Sequence, residues 1–138
     1  MIENLCSCIL ATDDLVGEFK SRIFKDYKSD YDYITIYLTD KTIEYSEKCV
    51  EHFNNMHDEM IDAICKGVIK SSTKEYELEN VRDILKHFCF DVMYTLDSES
   101  DEISYIVEGV GDWGKKKTGI VIKNSSLAYV GIDYEEFI

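Results

Sequence analysis

A chain of 138 residues that is 45% hydrophobic and 31% charged, with ten Tyr, six Phe and one Trp, has the composition of a folded domain and not of a disordered acidic tail. Its formal charge of −13 comes from 28 acids against 15 Lys and Arg and is spread along the sequence, so it repels phosphate backbones and anionic bilayers and excludes nucleic acid and membrane surfaces as primary partners. A basic protein surface is what such a field attracts.

From Met1 to Ala11 the chain has one short apolar stretch, Leu5 to Leu10, preceded by Glu3 where a secretory leader would carry basic residues. No run approaches the roughly 18 apolar residues of a membrane span. The five Cys, at 6, 8, 49, 65 and 89, are odd in number and irregular in spacing, which predicts reduced thiols and a cytoplasmic location. Cys6 and Cys8 form a C-x-C pair, but a closed zinc site needs four ligands and no second pair lies near, so no metal is expected. With no proline, repeat or low-complexity linker, residues 1–138 read as a single domain.

Residues 15–24 and 31–39 read as strands joined by the polar turn Lys25 to Asp30, with Ile34, Ile36 and Leu38 on the core side and Tyr33, Thr35 and Tyr37 on the other. From Thr42 the period becomes helical. Tyr45, Cys49, Phe53, Met56, Met60, Ile64 and Val68 recur at three- and four-residue steps, predicting one long helix to about Ile69 with Asp40 or Thr42 as N-cap. A shorter helix follows at about Glu79 to His87, with Asn80 as its cap. Phe88 to Leu96 alternates as a half-buried strand, a second strand runs from Ile103 to Glu108, and Gly119 to Lys123 with Leu127 to Ile132 forms a hairpin around Asn124, Ser125 and Ser126. The predicted fold is α+β: an antiparallel sheet with one long and one short helix packed on one face.

Catalytic patterns are thin. Cys49 and His52 stand three apart on the long helix and read as a core thiol beside surface imidazoles, while His87 and Cys89 bracket Phe88 without a third orienting group and read as structural. Glycines 109, 111 and 114 imitate a phosphate loop, but Asp112 and Trp113 interrupt them and a strand follows where a helix is required. Lys115, Lys116 and Lys117 form the only basic run, a solvated turn expected to pair with the neighbouring acidic loop and to make at best a weak anion site. No catalytic residue and no cofactor is expected. Asp97, Glu99, Asp101 and Glu102 crowd into six residues without EF-hand spacing, and they are the first candidate for a partner-facing surface. The tyrosine-bearing strand with Tyr31, Tyr33 and Tyr37 is the second.

The order of elements from residue 31 onward, with Ile103 to Gly109, Trp113, Gly119-Ile120-Val121-Ile122-Lys123 and Val130-Gly131, resembles a family of small acidic bacterial α/β proteins. These are of the kind found as immunity proteins beside polymorphic toxins. The last thirty residues carry most of the likeness. Family members often have acids and a His between the Trp and the Gly, where this chain has Gly114, Lys115, Lys116, Lys117 and Thr118, so a site built on that His is missing. The resemblance implies an immunity role: binding and neutralising one cognate toxin with a basic surface. The competing readings are a small cytosolic enzyme using Cys89 with His87 or a carboxylate pair, and a structural domain that self-associates as a homodimer through a sheet edge.

Overall fold

The structure, a computed structural model, describes residues 16–20, 33–37, 43–99 and 101–138. Six strands form one sheet in the order in which they occur: β1 (Val16–Lys20), β2 (Tyr33–Tyr37), β3 (Phe88–Leu96), β4 (Ser104–Gly111), β5 (Lys117–Lys123) and β6 (Ser126–Gly131). Between β2 and β3 the chain forms α1 (Ile43–Asn54), α2 (Asp58–Ser71) and a 3-10 helix (Val81–His87), and a second 3-10 helix, Tyr134–Phe137, follows β6. The α+β class holds. The all-antiparallel sheet does not: β2 lies parallel to β3, with Thr35, Ile36 and Tyr37 opposite Val92, Met93 and Tyr94. Parallel neighbours need a crossover connection of a dozen residues or more, and the helical segment between them supplies it.

The single long helix expected to Ile69 is two helices. At the break the Asn55 N–H reaches back only three residues to the His52 carbonyl at 3.3 Å, and the Asn55 side chain donates to the Glu51 carbonyl at 2.7 Å. An amide side chain that bonds its own backbone competes with the helical ladder. The second helix restarts with the Ile61 N–H on the His57 carbonyl at 3.0 Å. Phe53, Met56, Ile61, Ile64 and Val68 are all buried, so the apolar stripe runs across the break and conceals it from a periodicity reading. The N-cap candidates Asp40 and Thr42, together with Leu38, Tyr31, the turn Lys25 to Asp30, Cys6 and Cys8, lie outside the described residues.

The short helix is of 3-10 type and is capped by Asn80 as expected, its Oδ1 accepting the Arg82 N–H at 3.0 Å while Asp83 accepts the Asn80 N–H at 3.2 Å. A 3-10 helix rises about 2.0 Å per residue against about 1.5 Å in an α-helix, which lets a short segment reach from this cap to β3. Arg82 fastens it sideways to α2 through Asp62 at 2.7 Å and Asp58 at 3.0 Å.

β3 contains a bulge between Phe90 and Val92. An extra residue reverses the facing of everything beyond it. Phe88 and Phe90 therefore pack into the main core, as does Met93, while Leu96 joins a smaller apolar group with Ile106, Val121, Tyr129, Tyr134 and Phe137. The main core lies between the helices and one sheet face, and includes Ile36, Phe53, Ile64, Val107, Ile120 and Ile122. Gly67 lets α2 approach β6 closely, since a Cβ there would overlap the Val130 side chain.

Candidate functional site

Asp97, Glu99, Asp101 and Glu102 are exposed in the loop between β3 and β4, as the sequence suggested. What the sequence did not disclose is how firmly the loop is tied. Tyr45 of α1 spans its two stems: the hydroxyl donates to the Leu96 carbonyl at 2.5 Å and accepts the Ser104 N–H at 2.9 Å. From the other side the two-residue turn between β5 and β6 reaches in. Asn124 Oδ1 accepts the Ser98 hydroxyl at 2.9 Å and the Glu99 N–H at 3.3 Å, and the Asn124 N–H donates to Ser104 Oγ at 2.9 Å. Ser125 exchanges bonds with Ile103, its N–H donating at 2.8 Å and its hydroxyl accepting at 3.3 Å. Asn124 and Ser125 have φ of 49° and 66°, the left-handed pair that a tight hairpin requires.

Because β2 runs parallel to β3, its C-terminal residue Tyr37 arrives at the same end of the sheet as this loop. Tyr37 is exposed and stacks on Tyr94 with centroids 5.3 Å apart and planes 7° from parallel. Tyr33 is in β2 at the other end of the strand, opposite Lys20. The structure thus brings one of the three named tyrosines beside the acids. On the same face as Tyr94 a second polar group forms around Glu108, buried on β4, which accepts the Tyr134 hydroxyl; Lys117 lies 3.7 Å from Glu108 and 3.1 Å from Asp91. Burial and Glu108 together push the Tyr134 phenol well above its usual range.

His52 was expected at the surface. It is instead half-buried, with Nε2 at 3.0 Å from the Ser125 carbonyl and Nδ1 at 2.7 Å from the Tyr105 hydroxyl. A carbonyl only accepts, so Nε2 carries the proton and the Tyr105 hydroxyl donates to Nδ1 of a neutral ring. Burial lowers the imidazole pKa, opposed by the Ser125 carbonyl and by Glu102. A depressed folded-state value means that stability from the neutral ring is complete above the unfolded pKa of about 6.5 and is lost as pH falls through the folded one. Melting temperature should therefore decline on going from neutral pH towards pH 5, and His52→Gln should flatten that decline; parallel pH profiles for the two proteins would refute it.

Cys49, Cys65 and Cys89 form no disulfide with one another. Burial pushes the Cys49 thiol up to about 12 and the Cys65 thiol up to about 11, so neither supplies a thiolate near neutral pH. His87 does not turn to Cys89 for its hydrogen bond: its Nδ1 donates to Asp112 at 2.8 Å. Asp112 also accepts the Tyr76 hydroxyl, and the Tyr76 ring stacks on the imidazole with centroids 4.0 Å apart. Loss of solvent and the Asp112 carboxylate push the Tyr76 phenol up to about 12. Asp112 and Tyr76 were not singled out from sequence, since they meet His87 only through the fold. The lysine run lies at the turn between β4 and β5, at the far end of the strands from the acidic loop, so the pairing expected between them is absent; Lys117 pairs with Asp91 and Glu108 instead.

No family model, curated protein or solved structure matches the chain. Among the described residues no three His, Cys, Asp or Glu gather as a metal site, and no helix is long and apolar enough to cross a membrane.

Proposed function

We propose that the chain is a toxin-neutralising immunity protein, which binds a basic protein partner at the end of the sheet that carries the acidic loop and the Tyr37–Tyr94 pair. The observation that supports this reading is the double fastening of the loop, by Tyr45 from the helix side and by Asn124 and Ser125 from the hairpin turn. Acids on a floating loop lose conformational freedom on binding, whereas acids on a fastened loop meet a partner already ordered. The stacked tyrosines beside them supply the rigid aromatic area that interfaces use as anchors. Charge at the rim then acts mainly on the rate of encounter.

The test is a quadruple variant, D97N/E99Q/D101N/E102Q, in which Asn at 101 suits the positive φ of 66° found there. Exposed charges contribute little to stability, so unfolding free energy should stay within about 0.5 kcal/mol of the parent. Association with a basic cognate toxin, sought first among the products of neighbouring genes, should slow by about tenfold at low salt and converge with the parent at high salt, with dissociation changed less. An unchanged association rate at low salt would remove the loop from the interface.

A further inference from the structure

The other end of the sheet has the opposite chemistry. A cavity of about 530 Å³ opens between the last turn of α2 and residues 72–78, lined by Ile69, Leu78 and the Tyr76 ring, with Ser72, Thr73, Lys74 and Glu75 as its polar groups. Its volume falls in the usual range for small-molecule pockets, and it is an open groove whose lining is somewhat more polar than apolar. The Tyr76 ring is held in place before any ligand arrives, stacked on His87 and bonded through its hydroxyl to Asp112, which His87 itself anchors at 2.8 Å. Thr73 donates to the Trp113 carbonyl at 3.0 Å, and this bond draws the turn bearing Lys115 and Lys116 beside the segment that lines the cavity.

Charge completes the case. Lys48, Lys86 and Lys117 each meet a carboxylate, whereas Lys74, Lys115 and Lys116, like Lys66, Lys70 and Lys123, make no ion pair with any described residue. Lys74 lines the cavity itself, and Lys115 and Lys116 follow Trp113, whose carbonyl is held by Thr73 of the lining, so in a chain of net charge −13 these ammonium groups are the cations available to an anion there. Of the nearby acids Glu75, Glu77, Glu79 and Asp112, Asp112 is already bonded to Tyr76 and His87, and Glu75 is in the lining, where a carboxylate can accept from hydroxyl or amino groups of a ligand.

We infer that this cavity binds a small phosphorylated aromatic compound of mononucleotide size. The ring of the ligand stacks on Tyr76 above Ile69 and Leu78, its phosphate meets Lys74 with Lys115 and Lys116, and its hydroxyls reach Glu75. Stacking on an aromatic side chain is tolerant of which base is present, so the site selects a nucleotide by class and not by base. This site is independent of the acidic end, and its loss leaves the toxin-binding proposal untouched.

The experiment is calorimetric titration of the full chain with AMP, with adenosine and with inorganic phosphate, accompanied by amide chemical-shift mapping. AMP should bind more tightly than either fragment, with shifts centred on Lys74, Tyr76, Leu78 and His87. Lys74→Ala should weaken AMP by about tenfold and leave adenosine unaffected, as the loss of one charge-assisted contact predicts. Tyr76→Phe removes the bond to Asp112 but keeps the stacking face, so it should retain AMP affinity, while Tyr76→Leu should lose it. AMP binding no tighter than phosphate, shifts scattered over all lysines, or equal loss in the Phe and Leu variants would each overturn the inference.

Discussion

Phe53→Ala is expected to lower the unfolding free energy by about 3–5 kcal/mol, the cost of emptying a fully buried aromatic position. Phe53 is completely inaccessible, and among the described residues it meets Phe90 and Tyr105 edge-on, at 5.6 Å and 6.4 Å between centroids. Its neighbours come from β3 and β4, so the vacated space lies between α1 and the sheet, where neither side can collapse without shifting a strand. Against a typical total stability of about 5–15 kcal/mol the loss is a large fraction, and the melting temperature should fall by roughly 10 °C or more. Urea denaturation of both proteins decides it: a loss below about 1 kcal/mol would mean that Phe53 is not at the centre of the core.

Gly109→Val should be comparably damaging for the opposite reason. A Cβ at position 109 would overlap the Phe88 ring and lie 2.7 Å from the Cys89 carbonyl oxygen on the adjacent strand. The ring is packed against Phe90 and Trp113, and the carbonyl is backbone, so neither has room to yield. Overpacking of this kind costs about 3 kcal/mol, more than the fraction of a kcal/mol that a β-branched residue gains in a strand. Gly114→Val is the control: nothing lies within 4 Å of its Cβ, and its effect should stay within about 0.5 kcal/mol. Equal stabilities for the two variants would show that the close approach at Gly109 is not tight.

Much of the local structure was legible because it is written in short-range pattern. Ile34 and Ile36 are buried where alternation placed them, Asn80 caps the short helix, and the hairpin turns at Asn124 and Ser125. The misses share a cause. Through Phe88 to Leu96 both faces of the strand carry apolar residues, so a bulge that exchanges them leaves no mark on the alternation. Met56 keeps the helical stripe intact across the break at Asn55. Which strand pairs with which is a property of the crossover, and no residue of β2 or β3 encodes that they run in the same direction.

The candidate surface divides in the same way. The acids of the loop could be found by composition, and Tyr37 by its place on the polar side of a strand. The residues that fix them could not. Tyr45 reads as one more member of an apolar helical stripe, yet its hydroxyl is the tie between Leu96 and Ser104. His52 reads as a surface imidazole because its partners, Tyr105 and Ser125, are remote in sequence. Hydrogen bonds between distant residues depend on three-dimensional placement, which hydrophobic period does not specify.

The parallel pairing of β2 with β3 also orders events in time. β3 to β6 form a meander in which each strand neighbours the next, so each step closes a short loop, whereas Thr35 can meet Val92 only after the intervening helical segment has been gathered. The entropy of closing a loop grows with its length, and non-local contacts slow folding. Topology thus predicts the meander as the nucleus, with β2 and β1 docking last, an order that substitutions in β2 test by raising the unfolding rate and leaving the folding rate unchanged. On refolding of the full chain, Tyr37 is then expected to reach its place after the acidic loop between β3 and β4 has formed, although β2 precedes that loop in the sequence.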